Sequence, residues 1–554
     1  MNTKKTENRI CEHCGEEFIL DSGDLILYEK IGLKIPGQCF FCRLKQHLAF
    51  FTFGKFRKGV SDLSGEGLIT VLPSSPRYPI YKSHEWYGDK WDPMDFGQEY
   101  DPTIPFFVQL QHLQEKVPRP HQMGENNINC DWCDDAWESK NCYLTRSFLK
   151  CENLSYGYRA IDTKDSFDIT YSFNLQNSYD CLACHDSFNI NFSENCKDCI
   201  DSYFLFDCRN CQDCFMSYNL RNKKYCIRNK QYIKEEYENE LKKLKLDSYK
   251  NIEFLKAELE NLLKNEVVHR ENFNLKTTNS VGNYLTNCDK CVNVFSWENS
   301  QNCRNLLRGL NTKDCIDETV SWNTELSGNN SNATGGYQIK YSNWSNARYS
   351  EYLDLCAKCD YCFGCVGLRK KKYCILNKQY SKNEYEKLKD IIIKNMEKKK
   401  EYGEFFPYSM STCDYNLSVG IIYFPNVSKE EIIKRGGSWS EEDLSSKDGI
   451  SSLELPDSII DTKPDVVLQA LICPETHYKF NISKTEYQFH KRKNFALPRK
   501  HFDLRTLKRI IKTTVLKSYP YKCVYCKKDI NAYYPPEWGY QNIACEECYK
   551  QNIA

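Results

Sequence analysis

Between Cys130 and Leu220 every third residue is small or apolar, while the two positions between carry almost all of the charge. The series opens Cys130, Cys133, Ala136, Ser139, Cys142 and closes Cys208, Cys211, Cys214, Ser217, Leu220. A sustained period of three fits neither an α-helix, with its stripe at about 3.6, nor a strand, which alternates at about 2. A second beat overlies the first: Cys184, Cys196 and Cys208 are 12 residues apart, as are Cys199 and Cys211. Together the two periods predict a solenoid, in which each turn repeats the last and buries its face by stacking on a neighbour. Polyproline-II runs need abundant Gly or Pro, and this stretch has one Gly and no Pro.

The pattern is duplicated. Cys208-x-x-Cys211-x-x-Cys214, Tyr225-Cys226 and Asn229-Lys230-Gln231-Tyr232 recur 148 residues later as Cys356-x-x-Cys359-x-x-Cys362, Tyr373-Cys374 and Asn377-Lys378-Gln379-Tyr380. The second copy begins Cys288, Cys291, Val294, Trp297, Ser300, Cys303. Each copy runs into a charged amphipathic helix, the first with Ile252, Leu255, Leu259, Leu262 and Leu263 on one face, which reads as the polar cap that repeat ends require. The period is expected to slip between Cys315 and Trp344, with a loop across the Gly- and Asn-rich stretch 327–336. In architecture this resembles the tight β-solenoid of the beetle antifreeze proteins, whose narrow interior is lined by Cys, Ser and Ala. Their ice-binding Thr-x-Thr array is absent.

Cys11-x-x-Cys14 with Cys39-x-x-Cys42, and Cys523-x-x-Cys526 with Cys545-x-x-Cys548, each supply four thiolates in two tight turns. That arrangement lets a tetrahedral zinc ion replace a hydrophobic core and leaves no open position for substrate. The segment before the last set repeats the first ribbon at a shift of 462, with Cys473 for Cys11, Thr476 for Cys14, His501 for Cys39 and Leu504 for Cys42. Loss of metal with retention of the fold is the expected outcome there, ahead of a site built from Cys473, His501 and His477.

These residues, with Gly88-Asp89-Lys90-Trp91-Asp92-Pro93, Phe106-Phe107, Val117-Pro118-Arg119 and Cys548-Tyr549, resemble a family of Cys-rich zinc-ribbon proteins from candidate-phylum bacteria (Patescibacteria), generally of unassigned function. The resemblance implies a second zinc ribbon ahead of the Lys-Trp-Asp stretch. Here the corresponding positions, around Gly59–Asp62 and Lys82–Glu85, contain no cysteine, so no metal is expected between Phe51 and Trp91. A CoA-transferase label that some members carry finds no support in these residues.

The fold class expected is mainly β with helical caps, terminal zinc ribbons flanking a duplicated tight β-solenoid. In order these are a zinc ribbon (1–50), a metal-free ribbon-like segment and linker helix (51–125), a first solenoid (126–228), a helical cap (229–275), a second solenoid (276–376), a helical cap (377–402), a connecting segment (403–465), a decayed ribbon (466–515) and a zinc ribbon (516–554). At 554 residues the chain has material for several cores. A formal net charge of +1 removes the global basic signature of a nucleic-acid coat. The polar opening lacks a signal-peptide core and no stretch is apolar enough for a bilayer, so a cytoplasmic protein without a membrane role is expected. In that reducing compartment the 31 cysteines read as metal ligands and buried thiols. Those of the solenoid interior read as packing, as zinc ligands bridging adjacent turns, or as disulfide or redox groups.

No phosphate loop, His-Glu-x-x-His or Gly-x-Ser-x-Gly motif is present, and acidic pairs such as Asp134-Asp135 read as turn residues. The expected function is therefore non-catalytic: a zinc-binding scaffold engaged in protein or self-association. Outward aromatics offer an alternative. Tyr143, Tyr156, Tyr158, Tyr171, Phe173, Tyr179, Phe188, Phe192, Tyr203, Phe204, Phe206, Phe215 and Tyr218 flank the lattice, and such rings either stack on single-stranded RNA or DNA or pack against the ribbon modules and helices. A thiol redox enzyme is the third reading.

Overall fold

The computed structural model describes residues 6–553. The chain divides into two compact units, one made of Met1–His121 with Asn272–Ser440, the other of Gln122–Glu271 with Glu441–Ala554. Each unit combines one ten-stranded ladder with two hairpin modules from one end of the chain. The fold is mostly β, and among the described residues no helix is long and apolar enough to cross a membrane.

The first ladder runs from Cys133–Trp137 to Lys230–Gln231, the second from Val281–Asp289 to Lys378–Gln379. In the first, successive strands pair in parallel at a step of 12 residues: Cys133 faces Thr145, Phe148 faces Ala160, Cys214 faces Cys226. The period of three has a backbone cause. The residue before each lattice position except Cys133 takes a left-handed conformation, as in Asn129 (φ 53°), Asn141 (φ 54°), Asp165 (φ 48°) and Asp201 (φ 47°). Asn and Asp tolerate that region best, so polar residues precede Cys130, Cys142, Ser166 and Ser202. Asp135 (φ 51°) is such a turn residue. Asn side chains at these corners also bond one another up the ladder, Asn129 to Asn141 at 2.9 Å and Asn153 to Asp165 at 2.8 Å.

Lattice residues from Cys130 to Ser217 are buried and Leu220 is half-buried, whereas Asp131, Lys140, Lys164 and Lys197 are exposed and Arg209 is half-buried. The interior is a hydrogen-bonding system as well as a packed one. Ser172 donates to the Thr170 carbonyl at 2.9 Å and accepts the Cys184 amide at 3.0 Å; Ser178 does the same with Gln176 and Ile190. Cys184 donates to the Leu182 and Ser193 carbonyls at 3.4 and 3.3 Å, and Cys181 to those of Tyr179 and Ile190. Small residues with one weak donor fit a core this narrow.

The Asn-Lys-Gln-Tyr repeat closes each ladder. Lys230–Gln231 and Lys378–Gln379 fold back antiparallel on the last parallel strand. The Asn side chain bonds both backbone groups of the residue 11 before it: Asn229 with Tyr218 (2.9 and 3.0 Å) and Asn377 with Val366 (2.9 and 2.8 Å). One side chain thereby stands in for the missing next strand. Helix Lys234–Lys242 then sets Tyr237 against Tyr225, and Lys382–Lys398 sets Tyr385 against Tyr373. Helix Tyr249–Asn265 buries the expected Ile252, Leu255, Leu259, Leu262 and Leu263. It lies along the ladder flank, where Lys256 reaches Asp180 at 2.7 Å.

Two expectations are corrected. Residues 327–336 are not a loop: Gly328–Ser331 is a strand in twelve-residue register with Ile316–Trp322, and Ser327, Asn330 and Ala333 fill interior positions. The lattice continues unbroken to Ser345 and shortens by one residue at Asn346/Ala347, where pairing changes from 11 to 12. It was hidden in the sequence because Glu318, fully buried, occupies an interior position. Its carboxylate accepts from Thr324 Oγ1 (2.8 Å) and Asn330 Nδ2 (3.0 Å), and burial pushes its pKa up to about 7.

The aromatics of the first ladder do not form an exposed face. Tyr156 stacks on Phe502 (5.5 Å, 22°), Phe167 packs on Phe489 (4.5 Å), and Phe192 packs on Phe495 (5.3 Å). Of the thirteen named above, Phe188 alone is exposed, at 42%. Helices Lys484–Lys493 and Phe502–Ile511, from the far end of the chain, cover that flank.

Candidate metal centres

Four hairpin modules share one local design. In each, the first ligand position bonds the residue five on and accepts from the residue four on, as in Cys11 with Glu16 and Gly15 and in Cys523 with Lys528 and Lys527. Ser61 and Cys473 do the same. The fourth-on residue is left-handed in every case: Gly15 (φ 75°), Gly65 (φ 75°), His477 (φ 57°) and Lys527 (φ 62°). The third ligand position, Cys39, Lys82, His501 or Cys545, is the N-cap of a helix.

Two modules carry the full thiol set. Cys11, Cys14, Cys39 and Cys42 bring their sulfurs within 4.8 Å of one another, and so do Cys523, Cys526, Cys545 and Cys548. Cys14 and Cys39 are 3.8 Å apart, as are Cys526 and Cys545. A tetrahedron with metal–sulfur bonds of about 2.3 Å has edges of about 3.8 Å, so the geometry fits a four-thiolate ion. Backbone amides support the sulfurs from outside: Cys39 N–H donates to Cys11 Sγ at 3.2 Å and Cys545 N–H to Cys523 Sγ at 3.4 Å. Burial pushes the Cys11 thiol up, but bonds from the backbone of Cys14 and Cys39 outweigh it and the net shift is down. The same balance lowers Cys523 to about 6. Both sets can hold a metal ion, and all four corners are used.

The other two modules are built differently at the same positions. Ser61, Ser64, Lys82 and Glu85 replace the thiols of the second. Ser61 Oγ donates to Glu85 Oε2 at 2.5 Å and the Lys82 amide donates to the same oxygen at 3.0 Å. In the third, Cys473, Thr476, His501 and Leu504 take the four places, and His501 Nδ1 accepts the Asp503 amide at 3.2 Å as a helix cap. His477 forms the left-handed turn. Among the described residues the two four-cysteine sets are the groups of three or more metal-ligating side chains. The ladder thiols are free and buried.

No family model matches this chain. No curated protein matches it either. Among solved structures, a putative acetyltransferase from Desulfovibrio desulfuricans G20 is similar over 44% of this chain and 65% of its own length, at 9% identity and a TM-score of 0.09. A likeness at that score carries no argument.

Proposed function

We propose that the protein is a non-catalytic scaffold in which two tight β-solenoids, braced by structural zinc ions at Cys11, Cys14, Cys39, Cys42 and at Cys523, Cys526, Cys545, Cys548, present a surface to another protein or to a second copy of the chain. Sulfur-only ligation in tight turns favours zinc, and a closed four-thiolate shell offers no site for substrate or water. The ladder thiols support a structural role in the same way: they donate to carbonyls, which a disulfide would abolish, so a reducing, cytoplasmic setting belongs to the proposal. Membership of the Patescibacteria Cys-rich family is proposed on the motifs alone.

The observation that carries the interaction reading is a column of tyrosines on the second ladder. Tyr349 and Tyr361 stack at 4.8 Å and 10°, Tyr361 and Tyr373 at 5.4 Å and 23°, and Tyr337 meets Tyr349 at 5.4 Å. Tyr349 is 39% exposed. Tyr349, Tyr361 and Tyr373 hold φ of 52–54°, where Asn or Asp costs less, so three strained aromatic positions stand in one column, with Tyr349 exposed and Tyr361 and Tyr373 half-buried. Such rings are favoured at protein interfaces. Single-stranded nucleic acid is the lesser reading, because the rings of the first ladder are occupied in intramolecular packing.

Sedimentation velocity and affinity purification of the full chain test this against a Tyr349→Ser/Tyr361→Ser variant shown to be folded by circular dichroism. The variant should lose the self-assembly or stoichiometric protein partner that the wild type keeps. Identical assembly in both, or tight oligonucleotide binding by both, overturns the reading.

A further inference from the structure

In the third hairpin module the outer edge of the first strand is occupied. Leu471–Ile472 pairs on one side with Lys479–Phe480 and on the other, in parallel, with the added strand Ile450–Ser451. Ile450 N–H donates to the Ala470 carbonyl and Ser446 N–H to the His477 carbonyl, both at 3.0 Å. Lys479 pairs with Asp448 at 3.0 Å. Gly449 lies over Ile472, so close that a Cβ there would stand 3.0 Å from Ile472 Cδ1. Ile472 is half-buried.

The first module has the same edge without the added strand. Among the described residues Glu7–Ile10 pairs with Glu17–Leu20 alone. Under the 462-residue shift Asn8, Ile10, Gly15 and Glu17 stand where Ala470, Ile472, His477 and Lys479 stand in the third. Cys11 N–H bonds the Glu16 carbonyl and Arg9 faces Phe18, so the alternation of an antiparallel pair turns the Asn8 carbonyl and the Ile10 N–H outward. Asn8 is exposed, Ile10 is 72% exposed, and open space lies beside Gly15. An edge of this kind is a template for another strand. The fourth module blunts it with Pro520 and Lys522 at the positions of Asn8 and Ile10, and the first carries neither device.

We propose that the free edge of Glu7–Ile10 is a docking site for an extended, basic segment of another protein, which adds to it as a parallel strand. The third module defines the occupant: backbone bonds to the Asn8 and Gly15 carbonyls and the Ile10 N–H, and a glycine over Ile10. Glu17 takes the place of Lys479, and Glu12, Glu16 and Glu17 are all exposed on this hairpin, so a Lys or Arg belongs where the third module uses Asp448. The site is separate from the tyrosine column and does not rest on it.

Fluorescence anisotropy of the metal-loaded full chain with the labelled peptide Ser-Ser-Lys-Lys-Gly-Ile-Ser-Ser tests it, against Ser-Ser-Lys-Asp-Gly-Ile-Ser-Ser, the sequence of residues 445–452. The Lys peptide should bind saturably at one site per chain, about threefold more tightly than the Asp peptide. Ile10→Pro removes the outward N–H and no hairpin bond, and should weaken binding about fivefold. Glu17→Lys, at an exposed position, leaves the backbone edge intact and should reverse the preference between the two peptides, which decides the matter even where Ile10→Pro fails to fold. Failure of both peptides to bind up to millimolar concentration overturns the proposal, as does an unchanged preference in Glu17→Lys or unchanged affinity in a folded Ile10→Pro.

Discussion

Arg43 Nη2 lies 2.6 Å from Asp317 Oδ1, and both side chains are buried. The pair has a counterpart in the other unit, where Arg505 meets Asp168 at 3.3 Å. Arg43 and Arg505 are equivalent under the 462-residue repeat of the hairpin modules, and the two aspartates are equivalent under the ladder duplication once its one-residue shortening is counted. The module with its metal ligands and the module without them therefore dock on their ladders through the same ion pair. Arg43→Ala should cost roughly 3–5 kcal/mol in urea denaturation, because it strands Asp317 without a counter-charge. A loss below about 1 kcal/mol would show the docking to be incidental.

The shared turn geometry of the four modules makes the lost metal site recoverable. Replacing Ser61, Ser64, Lys82 and Glu85 together by cysteine should add one zinc ion per chain to the wild-type content. Elemental analysis of the folded quadruple variant decides it, and unchanged metal content would mean that the Ser–Glu module has drifted beyond thiolate geometry.

Glu318 makes stability fall with pH. Its carboxyl has an ordinary pKa of 4.5 and is raised to about 7 inside the ladder, chiefly by burial. Below pH 4.5 both states are protonated and nothing is lost; between 4.5 and 7 the unfolded chain releases a proton that the folded one keeps, and the full penalty applies above 7. Glu318→Gln should match the wild type at pH 4 and exceed it at pH 8 by up to about 3 kcal/mol. Denaturant midpoints measured at the two pH values check this, and equal differences at both would contradict it.

The interior lattice was legible because every third residue of a narrow ladder must be small or apolar, and that constraint leaves Cys, Ser, Thr, Ala and aliphatic residues in visible rhythm. Acidic turn residues such as Asp135 were visible too, but not the left-handed position in every third place, which Leu144, Tyr156, Ala183 and Phe192 also occupy. Glu318 and Asn330 hid the middle of the second ladder because a hydrogen-bonded carboxylate violates the composition rule without breaking the backbone rule. That the flanking rings pack against the hairpin modules and helices was one of the readings open in the sequence, but the partners were not legible: Phe502, Phe489 and Phe495 arrive from the other end of the chain to cover Tyr156, Phe167 and Phe192, and no local pattern names a partner that distant. The eight cysteines of the metal centres were readable from spacing alone.

The thiols should divide into two classes. With zinc bound, the native protein should react slowly with Ellman's reagent. Chelation should expose the eight terminal cysteines, and the ladder thiols should react only after unfolding, since all are buried and thiols such as Cys184 are bonded to carbonyls. Rapid reaction of ladder thiols in the native state would favour a redox role.

The most direct test of the account is the zinc content of the purified full chain. Elemental analysis should give two zinc ions per chain, falling to one in Cys14→Ser/Cys39→Ser and to one in Cys526→Ser/Cys545→Ser. Fewer than two in the wild type would remove the structural zinc from the proposal, and clearly more than two would place metal among the ladder cysteines, where the hydrogen-bonded interior leaves it no role.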